Sequence, residues 1–284
     1  MPLSADDAPV AEPVFSLTDV RVTFGGLVAL RDVSLDLAAH QVLGIIGPNG
    51  AGKTTLFNVA CGFVKPDTGS IRWRGEQLTR LRPDGLADLR IARTLQGLGL
   101  FGRMTVLENV MVGAQRHART GFASALLALP RAHRDERALR DRAVAVLEEL
   151  HAAQFADRLP DSLPYAVRKR VALARALVSE PELLLLDEPA SGLSSDEMDE
   201  LSGVIRALTE RMSIMLVEHH MDLVMKVCDR ITVLDFGRVI ATGTPDQIRN
   251  DPAVMEAYLG DEVDDEAVSA LAFTGSDGDD ARGA

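Results

Sequence analysis

One eight-residue stretch limits what this chain can be more than any other. Gly47-Pro48-Asn49-Gly50-Ala51-Gly52-Lys53-Thr54 follows the apolar run Val42-Leu43-Gly44-Ile45-Ile46 and precedes a segment, Thr54 to Phe63, of helical character. It matches G-x-x-x-x-G-K-[ST] at every defined position, in the strand–loop–helix setting that gives the pattern its meaning. Glycines let successive backbone N–H groups turn toward one point, and the amino end of the following helix adds partial positive charge there. Such a loop cradles phosphate oxygens. Lys53 would reach the terminal phosphates of a nucleotide, and the Thr54 hydroxyl would ligate Mg²⁺. Gly47, Pro48, Asn49, Gly50, Ala51, Gly52, Lys53, Thr54 and Thr55 are assigned to nucleotide binding on this basis. The competing reading is a plain glycine-rich turn, and the flanking strand and helix argue against it.

The rest of the pattern is α/β. Residues 15–17, 20–22 and 33–37 alternate like half-buried strands, 42–46 reads as a fully buried strand, and 71–74 as a further edge strand. From about 84 to 165 the character turns helical, with Leu139, Ala143, Val146, Leu147 and Leu150 forming an apolar stripe. Strands return at 183–186, 214–217, 231–234 and 239–242, with a helix at about 195–208 and helices up to Leu259. Leu183-Leu184-Leu185-Leu186 runs directly into Asp187-Glu188. A buried strand ending in two carboxylates places them at the carboxyl edge of the sheet, where open α/β folds bind ligands. Asp187 would hold Mg²⁺ and Glu188 would polarise an attacking water. The bland alternative is that the two acids merely cap the next helix.

Composition removes several classes. The formal charge of −12 is concentrated at the ends: residues 261–284 carry −7 and residues 1–13 carry −3, so the body is close to neutral. Both ends read as solvated, disordered tails, and no basic surplus suggests a nucleic-acid surface. Two cysteines, Cys61 and Cys228, are too few for a disulfide framework. The adjacent pair His219–His220 cannot face one metal from a regular element, which speaks against zinc. No apolar run approaches the roughly 18 residues of a membrane span. The amino terminus lacks the basic-then-apolar order of a signal peptide.

Taken with Gln96, His219 and the run Leu163–Leu177, these stretches resemble the ATPase subunits of ATP-binding cassette (ABC) transporters over about residues 14–260. The resemblance is nearest to the cassettes of branched-chain amino acid importers, of the Phe-Gly-Gly type. It is carried by Thr23-Phe24-Gly25-Gly26-Leu27, Ile91 to Gln96, Met104 to Val110, Glu218-His219-His220-Met221 and the ending Gly243-Thr244-Pro245 through Gly260. It implies a mixed-sheet P-loop core with an antiparallel β subdomain and an inserted helical lobe at about 84–165. It implies ATP and Mg²⁺ as ligands, with Thr54, Gln96 and Asp187 around the metal and Glu188, His219 and Gln96 as catalytic groups. Phe24 would stack on adenine. The implied partners are transmembrane permease subunits, a sister ATP-binding subunit and, indirectly, an extracytoplasmic solute-binding protein, at the cytoplasmic face of the membrane.

The family's signature loop is altered here. Where this branch usually reads Leu-Pro-Tyr-Gly-Gln, the chain has Leu163-Pro164-Tyr165-Ala166-Val167. In the family this loop closes over ATP held by the opposite subunit. Val167 offers no hydrogen-bonding side chain, and Ala166 adds a Cβ where backbone must approach phosphate. Losing one preorganised donor costs roughly 3–4 kcal/mol, or about 10²–10³ in rate. Ser194 also stands where Asp or Asn is usual. The chain is therefore read as an ATP-hydrolysing transporter subunit, with a low-turnover regulatory subunit as the alternative. The acidic tail should be dispensable for the folded body: truncation after Gly260 is expected to leave the melting temperature within a few degrees by scanning calorimetry, and a loss of many degrees would show that the tail docks.

Overall fold

The computed structural model describes residues 12–94, 98–114 and 130–259. The end segments expected to be disordered lie almost wholly outside these residues, as does Gln96. The described chain divides into two compact units, residues 1–81 with 228–284 and residues 82–227.

In the first unit, β1 (Phe15–Phe24) and β2 (Leu27–Leu37) pair antiparallel around the turn at Gly25-Gly26, and their buried positions largely alternate with exposed ones. β4 (Thr68–Trp73) pairs with the other side of β1, and the two-residue β5 (Glu76–Gln77) follows it. The expected edge strand at 71–74 is therefore flanked on both sides. A tight turn after Trp73 folds Glu76–Gln77 back along it, a pairing too short to show as hydrophobic alternation. β3 (Val42–Ile46) is buried along its whole length and pairs parallel with β9 (Arg230–Asp235), which pairs antiparallel with β10 (Arg238–Gly243). That makes the sheet mixed. α1 (Lys53–Ala60) follows β3, and α7 (Pro245–Arg249) and α8 (Pro252–Leu259) follow β10. α7 opens with a capping box between Thr244 and Gln247, the arrangement that satisfies the first free amides of a helix. Backbones come close where side chains are missing. A Cβ on Gly44 would lie 2.6 Å from the Cys228 sulfur, and one on Gly47 would lie 2.0 Å from the Leu234 carbonyl oxygen. Both cysteines are buried free thiols.

In the second unit, β6 (Ile91–Arg93), β7 (Leu183–Asp187) and β8 (Ser213–Val217) form parallel pairs. β6 lies inside the stretch that reads as helical. Three residues are too few to show a strand period against Ala- and Leu-rich neighbours. The helices are α2 (Val106–Gly113), α3 (Pro130–Glu149), α4 (Tyr165–Leu177), α5 (Ser195–Leu208) and α6 (Met221–Val227). The apolar stripe of α3 faces inward, with Ala143, Leu147 and Leu150 almost fully buried. Asn109 on α2 is fully buried, and its Nδ2 donates to the carbonyls of Phe101, Met104 and Thr105 while its Oδ1 accepts the Phe101 N–H at 2.7 Å. One amide thus satisfies the whole approach to α2, whose start is closed by a Thr105–Glu108 capping box. None of the described helices is long and apolar enough to cross a membrane.

Two glycines in the second unit test this packing in opposite directions. A Cβ on Gly113 would sit 1.9 Å from the Arg175 carbonyl oxygen, whereas one on Gly203, exposed in the middle of α5, meets nothing. Gly113→Ala should cost about 1–3 kcal/mol, and Gly203→Ala should gain about 0.5–1 kcal/mol, both read from urea denaturation.

Candidate active site

In the first unit the chain leaves β3 as a strand buried on both faces, so its polar groups gather at the end. Gly47 (φ 145°), Gly50 (φ 79°) and Gly52 (φ 102°) turn the loop. Gly47 is obligatory, because only a bare Cα fits against Leu234. A Cβ on Gly52 would likewise come within 2.8 Å of the Ala29 carbonyl oxygen. Asn49, Gly50 and Thr54 are exposed, while Lys53 and Thr55 are half-buried. Lys53 Nζ donates to the carbonyls of Gly47 at 2.6 Å and Pro48 at 2.8 Å, which holds its charge over the loop. α1 begins with no side-chain cap and no acid in its first turn, so its own residues leave its amino-end amides without an anionic partner. Phe24, at the end of β1, is 50 % exposed, available for stacking rather than buried as core.

In the second unit β7 delivers Asp187 and Glu188 to its carboxyl end, both half-buried. They do not cap the next helix: Ser194 does, in a reciprocal box with Glu197. That disposes of the bland reading and shows that serine at 194 serves as a helix cap. Burial, followed by repulsion from Glu188, raises the Asp187 carboxyl above its usual range; Arg93 opposes this and Glu218 adds to it. Glu188 adopts a left-handed backbone (φ 46°), a conformation that costs a non-glycine residue of order 1–3 kcal/mol. Its amide donates to the Val217 carbonyl at 2.9 Å. Lys169 on α4 donates to the carbonyls of Glu188 at 3.3 Å and Pro189 at 2.6 Å. Burial pulls the Lys169 ammonium below the usual lysine range.

His219 follows β8, its side chain 47 % exposed. Behind it Glu218 is 1 % exposed, and it accepts the N–H groups of Ala190, His219 and His220 at 3.2–3.3 Å. This buried carboxylate, to which sequence reading gives no role, ties the loop after β7 to the loop after β8. Arg175 is a second missed anchor. It donates to the carbonyls of Leu98 at 2.8 Å and Gly99 at 2.5 Å, fixing the chain just beyond Gln96. A lone Glu next to His-His or an Arg within a basic helix carries no signal in sequence; both act through tertiary contacts.

The altered signature segment forms the first turn of α4. Ala166 is 9 % exposed and lines a cavity of about 490 Å³ within its own unit, alongside Leu173, Leu186 and Leu201. Val167, half-buried at the third helical position, still lacks a polar side chain.

A phosphate loop at the end of one parallel strand and paired carboxylates at the end of another define a P-loop nucleoside triphosphatase. Comparison with known proteins narrows this. The ABC transporter family matches residues 30–191, and the branched-chain amino acid ATP-binding cassette transporter family matches residues 238–264. The chain is 41% identical over 254 residues to the high-affinity branched-chain amino acid transport ATP-binding protein LivG of Escherichia coli K12, covering 89% of this chain and 100% of LivG. It is 40% identical to the corresponding protein BraF of Pseudomonas aeruginosa, with the same coverage. The crystal structure of an ATP-binding cassette of an ABC transporter in its ADP conformation superposes with a TM-score of 0.76 at 29% identity, covering 88% of this chain and 100% of that one. This chain belongs to the ABC transporter family, as an ATP-binding subunit with ATPase activity.

The electrostatics carry a stability cost. Because the Asp187 carboxyl titrates above its ordinary value in the folded state, folding favours its protonated form. Its ionisation therefore lowers stability as pH rises through the window between its unfolded and folded values, and the penalty is complete above the folded value. Asp187→Asn should raise the denaturation midpoint at pH 7, with the gain vanishing below about pH 3.9, the unfolded aspartate value. An unchanged difference across pH would contradict the assignment.

Proposed function

We propose that the chain hydrolyses Mg-ATP as one of two paired cassettes energising a membrane importer, and that the solutes are branched-chain amino acids or related small polar molecules. The observation that carries this reading is a complete, glycine-enforced phosphate loop in a chain whose β7 ends in a half-buried Asp187–Glu188 pair. The solute class rests on the transport for which LivG and BraF are named. The partners are transmembrane permease subunits, and indirectly an extracytoplasmic solute-binding protein, with the chain held peripherally at the cytoplasmic face; nucleic acid is not a partner.

In this reading Gly47 to Thr55 wrap the phosphates, Lys53 carries positive charge to the terminal ones, and Phe24 stacks on adenine. Mg²⁺ fits the site because Asp187, its carboxyl pushed up by burial and by Glu188 and Glu218, is a carboxylate that a divalent cation would relieve. Thr54, Asp187 and Gln96 would hold it, and when bound it would neutralise charge developing on the phosphates. Glu188 polarises the attacking water, and its strained backbone, held from behind by Lys169, fixes the carboxylate's aim. His219 hydrogen-bonds the terminal phosphate, with Glu218 clamping its main chain.

The chain's own residues are complete for this chemistry, while its signature segment lacks a polar side chain at Val167. We therefore infer a heterodimer with a sister cassette that supplies an intact loop. The site containing Lys53, Asp187, Glu188 and His219 would then be the active one, and the site closed by Ala166 and Val167 the slow one. A low-turnover regulatory subunit is the second reading, favoured by that same Val167. Glu188→Gln in the purified complex should lower turnover about 10²–10⁴-fold while ATP still binds. Ala166→Gly together with Val167→Gln should activate the slow site. Near wild-type turnover in Glu188→Gln would place the working site in the partner and support the regulatory reading.

A further inference from the structure

We propose that Glu218, His219 and His220 form a binding site for a zinc-class divalent cation, whose occupancy withdraws His219 from nucleotide. The three residues lie in the irregular segment between β8 and α6, so the objection that adjacent histidines on a regular element diverge does not apply. Both imidazoles instead turn the same nitrogen toward one carboxylate oxygen. His220 Nδ1 is 2.6 Å and His219 Nδ1 3.6 Å from Glu218 Oε1, and the three candidate ligand atoms lie within 4.8 Å of one another. The rings lie 4.1 Å apart at 39°.

Two imidazoles and a carboxylate suit zinc, with metal–ligand distances of about 2.0–2.2 Å and a fourth position left to water. Neighbouring ligands around a tetrahedral ion of that size stand about 3.3–3.5 Å apart, between the two separations observed. A cation could enter by loosening one contact and tightening the other. Mg²⁺, which demands oxygen ligands, is a poor competitor here. The carboxylate is held in place by main-chain amides: Oε2 accepts the Ala190 N–H, and Oε1, the ligand oxygen, accepts those of His219 and His220. The histidine side chains, 47 % and 26 % exposed, leave the face open to solvent. The amino end of α6 disfavours a cation.

The consequence for catalysis rests on the role proposed for His219; the binding itself does not. The test uses the purified full chain without nucleotide. Zn²⁺ is titrated by calorimetry, and Co²⁺ is followed by visible absorption. One ion per chain is expected, with Co²⁺ bands showing nitrogen ligation. His220→Asn should weaken binding at least about tenfold, and Glu218→Gln, which removes the charge and leaves one acceptor oxygen in place of two, should do the same. Circular dichroism checks that each variant is folded. In the transporter complex, Zn²⁺ should inhibit Mg-ATP turnover reversibly, and His220→Asn should need at least about ten times more Zn²⁺ for the same inhibition. Absence of binding, or binding that both variants leave unchanged, would overturn the site. Stoichiometric binding without inhibition would overturn only the withdrawal of His219. A complex with no ATPase activity at all would count against the catalytic reading, and the calorimetry would still judge the metal site.

Discussion

A strand buried on both faces can present polar groups only at its ends, and much of this protein's chemistry follows from that constraint. β3, β7 and β8 have no exposed residue along their length. Each releases its chain at the carboxyl end into a segment carrying polar residues: Gly47 to Thr54 after β3, Asp187–Glu188 at the end of β7, Glu218–His219 after β8. The parallel pairing of β7 with both β6 and β8 sets the carboxylates and His219 at the same edge of one unit. Parallel order makes the strands apolar, and apolar strands force function into the loops.

The loops are stabilised against their own charge. Asp187, Glu188 and Glu218 form a concentration of negative charge that burial makes costly, and the protein offsets it with local contacts rather than dilution. Lys169 reaches the main chain of Glu188 and Pro189, and the amides of Ala190, His219 and His220 converge on Glu218. The left-handed Glu188 persists because neighbours on both sides fix it.

The sequence made the local parts legible. The phosphate loop and the strand ending in two acids are contiguous, and their residue types are dictated by backbone approach and charge. The alternation in β1 and β2 is equally plain, since one face of each is buried. What escaped reading acts across long separations. β6 is three residues inside an Ala-rich stretch, and β4 gains a second neighbour through a turn. Asn109, Arg175, Lys169 and Glu218 show their purpose only when Phe101, Gly99, Glu188 and Ala190 are brought beside them. That Ala166 lines a pocket of its own unit was likewise invisible.

The central claim is that the phosphate loop with Lys53 is the nucleotide's anchor. The most direct check is calorimetric titration of the isolated chain with Mg-ATP, alongside Lys53→Ala. One nucleotide per chain is predicted, with binding lost or severely weakened in the variant. Undiminished affinity in Lys53→Ala would contradict the account.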